Sequence, residues 1–227
     1  MSESADPKTL QFLFDVISPY AYLGWRRIGA LAQRHARTLV ATPVLFAAML
    51  DAHGQKGPAE IGPKRVYTFK HAVRLAAEQG VVLRPPRSHP FNPLLGLRIA
   101  GLPGSDDERH AVIDAVFAAI WDGGPGFERP DELARWLSAR GLPGDRLVAD
   151  AQTPEAKARL RDATAQALEL GVFGVPTIVV DGELFWGQDS LGHVERFLRG
   201  EDAITPEVRA TWAEVPIGIV RPGAAPR

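Results

Sequence analysis

The sequence predicts an α/β fold: a small sheet with helices on both faces, interrupted by an all-helical insertion. Three observations carry that expectation. Residues 10–16 form an apolar run that turns directly into Ser18-Pro19, a helix start. Residues 177–180 form a β-branched run ending in Asp181-Gly182, a pair suited to a two-residue hairpin turn, and a return strand follows at 184–186. Between these halves, residues 46–165 show helical spacing, helix starts and glycine stops, with almost no strand alternation.

In chain order, residues 10–16 read as a buried strand, with Ser18 as N-cap and Pro19 at the first helical position. Residues 20–37 read as a helix with Leu23, Ile28, Leu31 and Ala32 available for a core, and residues 38–44 as a second short strand. Residues 46–52 suggest a turn or two of helix, and residues 52–63 a loop rich in Gly and Pro. Further helices are expected at 64–79, stopped by Gly80, and at 93–100, 106–121, 130–140 and 154–170. Residues 81–93 read as an extended, proline-rich segment. Pro-Asp-Glu at 130–132 and Thr-Pro-Glu at 153–155 are helix starts with acids in the first turn. The last helix opens at Gln188-Asp189-Ser190, with Asp189 or Ser190 as its cap, and runs to 199. A strand entered by Val-Pro-Thr, then a hairpin, then a helix, is the C-terminal half of a thioredoxin-like fold. The expected organisation is a thioredoxin-like N-terminal half at 10–45, a helical insertion at 46–165, the thioredoxin-like C-terminal half at 166–200, and a partly disordered extension at 201–227.

Composition narrows function chiefly by exclusion. The chain has 227 residues and no cysteine, so thiolate nucleophiles, disulfides, thiolate metal sites and protein-based dithiol chemistry are all ruled out. A net charge of −1 implies no bulk attraction to nucleic acid or an anionic membrane. No apolar run approaches bilayer-spanning length, and residues 1–9 lack the order of a signal peptide, so a cytoplasmic location is expected. No metal is expected.

Three stretches could carry chemistry. Ser18-Pro19-Tyr20-Ala21 sits at the strand-to-helix corner, where the thioredoxin-like arrangement carries its paired-cysteine motif. A hydroxyl there shares a helix N-terminus with free amides and the positive dipole end, although on its own Ser18 reads as a cap. Val175-Pro176 heads a strand, where proline's missing N–H is tolerated. In Trp186-Gly187-Gln188-Asp189-Ser190, a carboxylate and a hydroxyl could hold an ammonium and a carboxylate, or simply cap a helix. Trp121, Trp136 and Trp212 read as packing residues, and Arg26 and Arg27 as surface charges.

Order and spacing together go further. Phe14-Asp15-Val16-Ile17-Ser18-Pro19-Tyr20-Ala21-Tyr22-Leu23, His89-Pro90-Phe91-Asn92-Pro93-Leu94, Gly171-Val172-Phe173-Gly174-Val175-Pro176-Thr177 and Phe185-Trp186-Gly187-Gln188-Asp189 resemble the 2-hydroxychromene-2-carboxylate isomerases. These are relatives of the kappa-class glutathione transferases within the DsbA-like thioredoxin superfamily, and the resemblance covers residues 11–199. It implies glutathione as cofactor, with Ser18 as the catalytic residue hydrogen-bonded to its sulfur. It implies that the Val175-Pro176 backbone pairs with the cysteinyl unit. Gln188, Asp189 and Ser190 would lie at the γ-glutamyl end, with Asp189 binding it, and Gln55 stands where relatives often have asparagine. On the side of a small aromatic substrate, the resemblance implicates Tyr20, Lys64, Tyr67, His89 and Asn92. Taken as a residue, a histidine such as His89 on a proline-rich loop is more often packing than acid or base. The chain departs from the family pattern at His71, where an aspartate is usual, and at Ser190, where an arginine is frequent.

The implied reaction is an isomerisation with no net redox change. The glutathione thiolate adds reversibly to an activated double bond, the adduct opens or rotates, and the thiol leaves. Serine suits this because it cannot form a disulfide with the cofactor. A glutathione transferase would use the same residues and release the adduct. A non-catalytic thiol- or peptide-binding relative would also lack cysteines, but has no need of the Asp189 contact. A homodimer is a further expectation, with the apolar segment 212–220 as a contributor.

Overall fold

The computed structural model describes residues 9–219. A β-α-β unit opens the chain: β1 (Thr9–Phe14), α1 (Pro19–Arg34) and β2 (Thr38–Pro43). Seven helices follow: α2 (Phe46–His53), α3 (Gly62–Gln79), α4 (Leu94–Ala100), α5 (Asp106–Trp121), α6 (Pro130–Ser138), α7 (Gly144–Asp150) and α8 (Pro154–Glu169). The hairpin β3 (Thr177–Val180) and β4 (Glu183–Trp186) then leads to α9 (Leu191–Leu198) and α10 (Pro206–Ala213). The sheet order is β2-β1-β3-β4, with β1 parallel to β2 and antiparallel to β3. This is the thioredoxin-like arrangement expected from the sequence.

The alternation of β1 assigns the two faces. Leu10, Phe12 and Phe14 enter the main apolar cluster together with residues of α1, α4, α5 and α6. Leu13 points the other way, to Met49 of α2 and Ala167 of α8. Successive strand residues face opposite sides, so one strand serves two cores. Phe14 packs on Phe12, Trp25 and Phe117, with ring centroids 5.9, 6.4 and 5.2 Å away. Phe117 comes from α5, so the helical insertion and the sheet share one aromatic centre. No described helix is long and apolar enough to cross a membrane.

Several boundaries differ from the sequence expectations, each for a local reason. β1 stops at Phe14 because the Asp15 side chain turns to cap loop amides. α1 ends at Arg34 rather than 37. Ala36 takes a positive φ of 51°, and the Arg37 amide closes the end onto the Ala32 carbonyl at 2.9 Å. Arg37 then clamps Asp181 of the β3–β4 turn with two hydrogen bonds of 2.6 and 2.7 Å. α9 begins at Leu191, not at 188. Residues Gln188–Ser190 form a 3-10 turn, and the Ser190 hydroxyl donates to the Trp186 carbonyl at 2.5 Å instead of capping. Asp189 is therefore not a cap.

α7 has no counterpart among the sequence expectations, because it has no side-chain cap and buries only Gly144 and Val148, so neither a start signal nor an apolar stripe marks it. α10 was missed although Thr205-Pro206-Glu207 repeats the start signal of α8, and the Thr205 hydroxyl accepts from the Val208 amide at 3.3 Å. Trp212 on α10 is 72% exposed, so it is not a packing residue; Ile217 and Ile219 are exposed as well. The disorder expected at the C-terminal end falls largely on residues 220–227, outside the described residues, as does the leader reading of residues 1–8.

Phe117→Ala should cost about 3–5 kcal/mol, the usual range for emptying a buried aromatic site. Urea unfolding followed by far-ultraviolet circular dichroism and by tryptophan fluorescence should show one shared, shifted midpoint. Separate midpoints would mean that sheet and insertion do not share a core.

Candidate active site

Register brings the three chemistry-bearing stretches to one end of the sheet. Leu13 pairs with Thr177, and Thr177 with Trp186. The chain beyond β1, ahead of β3 and beyond β4 therefore emerges together. These are the segments of Ser18, Val175-Pro176 and Gly187-Asp189.

The Ser18 corner is held from four directions. The Asp15 carboxylate accepts the Ile17 amide at 2.9 Å and the Phe46 amide at 2.9 Å. The Asp15 carbonyl accepts the Ser18 amide at 3.1 Å. Trp121 Nε1 donates to the Val16 carbonyl at 2.8 Å, and His89 Nε2 lies 2.9 Å from the Ile17 carbonyl. Burial pushes the Asp15 carboxyl up to about 7, against the pull of its two amide donors. Burial lowers His89, so its ring is neutral with Nε2 carrying the proton it donates; its Nδ1 is buried and unpartnered. The same ring packs against Phe69, Phe91 and Trp121.

At the corner itself, the Ser18 hydroxyl oxygen accepts the Ala21 amide at 3.2 Å, and the Ser18 carbonyl accepts the Tyr22 amide at 3.2 Å. The cap reading is thus correct. It uses one acceptor lone pair and leaves the hydroxyl proton without an acceptor among the described residues. Pro19 has no N–H, and the Tyr20 amide has no partner among the described residues. A hydroxyl donor, a free amide and the positive end of a four-turn helix converge here, in a chain with no cysteine.

Val175 is buried, the Val175-Pro176 bond is cis, and the Val175 amide and carbonyl have no backbone partner among the described residues. The Pro176 carbonyl is taken by the Gly187 amide at 2.8 Å, which ties the third stretch to the second. Gly187 has φ of 93°, a region that favours glycine, and a side chain there would collide with the Asp189 carboxylate folded back over it. Asp189 itself is exposed. Gln188 is buried, and its Oε1 accepts Gln79 Nε2 at 3.0 Å, which locks the turn to α3.

Tyr20 meets α3. Its hydroxyl is 3.0 Å from His71 Nδ1, and His71 stacks on Tyr67 with centroids 5.7 Å apart. Burial raises the Tyr20 phenol further above its ordinary value, so it is a neutral group near pH 7, and Asp189 lies close enough to add to that shift. His71 was noted in the sequence only as a departure; its spacing of four from Tyr67 was the available signal for a shared face. Asp15 and Trp121 carry no sequence sign of their role. Lys64 lies exposed in the first turn of α3, and Gln55 lies exposed beyond α2. Asn92 is exposed and accepts the Leu94 amide at 3.0 Å. No hydrogen bond joins these three to the corner among the described residues.

Fold and site together define a DSBA-like thioredoxin domain, and the model of that family matches residues 9–199. Its usual redox position carries a serine here. A 2-hydroxychromene-2-carboxylate isomerase from Sphingobium xenophagum is 31% identical over 194 residues, covering 84% of this chain and 98% of that protein. The chain belongs to the 2-hydroxychromene-2-carboxylate isomerase family of DSBA-like thioredoxin domains. A solved 2-hydroxychromene-2-carboxylate isomerase superposes with a TM-score of 0.77 at 25% identity, covering 85% of this chain and 95% of that one. Glutathione S-transferase kappa 2 of Caenorhabditis elegans is 28% identical, covering 84% of this chain and 92% of that protein.

Asp15 should leave a signature in stability against pH. Its folded value, about 7, stands above its ordinary 3.8. The folded state therefore holds a proton that the unfolded state releases between roughly pH 4 and 7. That stabilisation is complete below the ordinary value and is lost as pH rises through about 7. Wild type should lose stability relative to Asp15→Asn across that window, approaching about 1.4 kcal/mol per pH unit at its centre. Parallel urea midpoints for the two proteins from pH 4 to 8 would refute the assignment.

Proposed function

We propose that the protein is a glutathione-dependent isomerase interconverting 2-hydroxychromene-2-carboxylate-type compounds and trans-o-hydroxybenzylidenepyruvate in aromatic catabolism. The observation that carries this reading is the free Ser18 hydroxyl proton beside the free Tyr20 amide, at a helix N-terminus in a cysteine-free chain. That pair suits a thiolate, which needs donors and positive potential but no redox partner. The unpartnered Val175 backbone suits a peptide-like unit, and the exposed Asp189 carboxylate suits the ammonium of a γ-glutamyl group. The residues present therefore fit glutathione. When bound, glutathione supplies a thiol that adds reversibly to an activated double bond.

The chain's own residues do the rest. Ser18 donates to the sulfur and, with the α1 N-terminus, favours its ionised form, so the reactive species is present near neutral pH. Val175 holds the cysteinyl backbone and Asp189 fixes the far end, which sets the sulfur's position. With His71 Nδ1 as the donor of their 3.0 Å contact, the protonated Tyr20 hydroxyl keeps its own proton as a neutral donor for a developing carbonyl or phenolate oxygen. Phe173 and Trp186, both exposed and 5.3 Å apart, form an aromatic wall beside Val175.

A transferase that conjugates electrophiles is the second reading, favoured by the kappa-class relative. It differs only in whether the thiol is given back. The deciding experiment is a spectrophotometric assay of 2-hydroxychromene-2-carboxylate with and without glutathione. Catalytic glutathione should sustain many turnovers with none consumed; stoichiometric loss of thiol would assign the transferase reaction instead. A hydrogen bond to a charged partner contributes roughly 1.5–3 kcal/mol, so Ser18→Ala should slow turnover about tenfold or more. Asp189→Asn should raise the glutathione KM more than it lowers kcat. Undiminished turnover in Ser18→Ala would rule out this role for the hydroxyl.

A further inference from the structure

At the opposite edge of the sheet from Val175 and Asp189, β2 borders a cleft of about 350 Å³ walled by α4, α5 and α8. Part of its lining is apolar, including Val40 and Ala163, both half-buried. Its charge is one-sided. Arg98 of α4, Arg109 of α5 and Arg159 of α8 all line it. Arg109 donates to the Ala41 carbonyl at 2.7 Å, covering the exposed edge of β2. Arg98 Nε is buried without a partner. Among the described residues, neither Arg98 nor Arg159 meets a carboxylate. Asp162, the one acid in the lining, is paired with Arg161 at 3.0 Å.

A buried donor left unmade is costly, and guanidinium groups without acids repel one another in a confined space. Both costs are relieved by one kind of occupant. We propose that this cleft binds a small organic anion, a carboxylate on a flat apolar body. Arg98 and Arg159 grip the carboxylate, and the half-buried Val40 and Ala163 receive the body. The planar guanidinium fork matches a carboxylate in two-point geometry. The apolar lining selects against a bare inorganic anion, which would leave Val40 and Ala163 wet. The volume lies within the range of small-ligand pockets. The cleft shares no residue with the Ser18 site and stands whether or not the isomerase reading holds.

The test is isothermal titration of the full chain with 2-naphthoate, neutral 2-naphthamide and inorganic phosphate, for wild type and the Arg98→Gln/Arg159→Gln variant. An aromatic acid also suits the Ser18 site, so the readout is the difference between the two proteins. Wild type should bind naphthoate saturably at millimolar concentrations or below. The double variant should bind it roughly tenfold or more weakly, by the loss of charge-assisted bonds. The amide should not bind in the cleft, and Arg98→Lys, which keeps charge but loses the fork, should fall between. Equal naphthoate affinity in wild type and double variant overturns the proposal, as does no binding at all. Phosphate binding that is lost in the double variant while naphthoate binding is not would reassign the cleft to inorganic anions. Should the double variant fail to fold, Arg159→Gln decides, because Arg159 is exposed: unchanged naphthoate affinity there overturns the proposal.

Discussion

A buried carboxylate holds the corner on which the rest of the site depends. Asp15 is almost wholly shielded from solvent, yet it sits where β1 must stop and α1 must start. Its two oxygens accept amides from Ile17 and Phe46, and its carbonyl accepts Ser18. Three otherwise orphaned backbone donors are satisfied by one residue. The connection from β2 to α2 is thereby pinned to the connection from β1 to α1. Trp121 and His89 take the two carbonyls between Asp15 and Ser18, so the corner has no free acceptor to compete for an incoming proton. What remains unpaired are donors, the Ser18 hydroxyl and the Tyr20 amide. A loop whose acceptors are all satisfied while donors face outward is an anion site by construction.

That economy explains which parts of the fold could be read from the sequence. The strand–turn–strand at 177–186 and the Ser-Pro helix start are local devices, carried by a few adjacent residues, and both appear in the structure. The helices with strong starts and glycine stops appear as well, within a few residues of their expected ends. Asp15, Trp121 and His89 act on backbone groups up to 105 residues away in sequence, and nothing in a one-dimensional pattern marks a side chain whose partner is a remote carbonyl. The same holds for the pairing of Tyr20 with His71, 51 residues apart. α7 and α10 were missed for different reasons. The first has no side-chain cap and buries only Gly144 and Val148, and the second has a start signal but no buried face, being held by the Thr205 cap and by Arg209 on Glu183 of β4.

The boundary errors point the same way. α1 stops early because the chain must turn at Ala36 to bring Arg37 onto Asp181, an ion pair between the two halves of the sheet. α9 starts late because Gly187 and Ser190 shape a 3-10 turn that carries Asp189 outward and Gln188 inward. Sequence spacing makes Asp189 a plausible cap. The structure assigns its backbone to a turn and leaves its carboxylate in solvent, the arrangement a ligand contact requires and a cap does not.

Serine in place of cysteine is the change that gives this corner its chemistry. A cysteine at position 18 would itself be ionised by the helix N-terminus and would react with a bound thiol, trapping it as a disulfide when oxidised. A hydroxyl has too high a pKa to ionise under the same field, so the field would act on a bound thiol instead, as the proposed reading requires. The Asp15 carboxyl behind the corner follows the same logic. With a value near 7 it is largely neutral on the acid side and adds little opposing charge to the site. As it ionises above that pH, it adds a negative charge behind the corner. On the proposed reading, alkaline pH would ionise a bound thiol more fully while weakening the field at the corner, and the balance of the two would set the pH dependence of thiolate binding at Ser18.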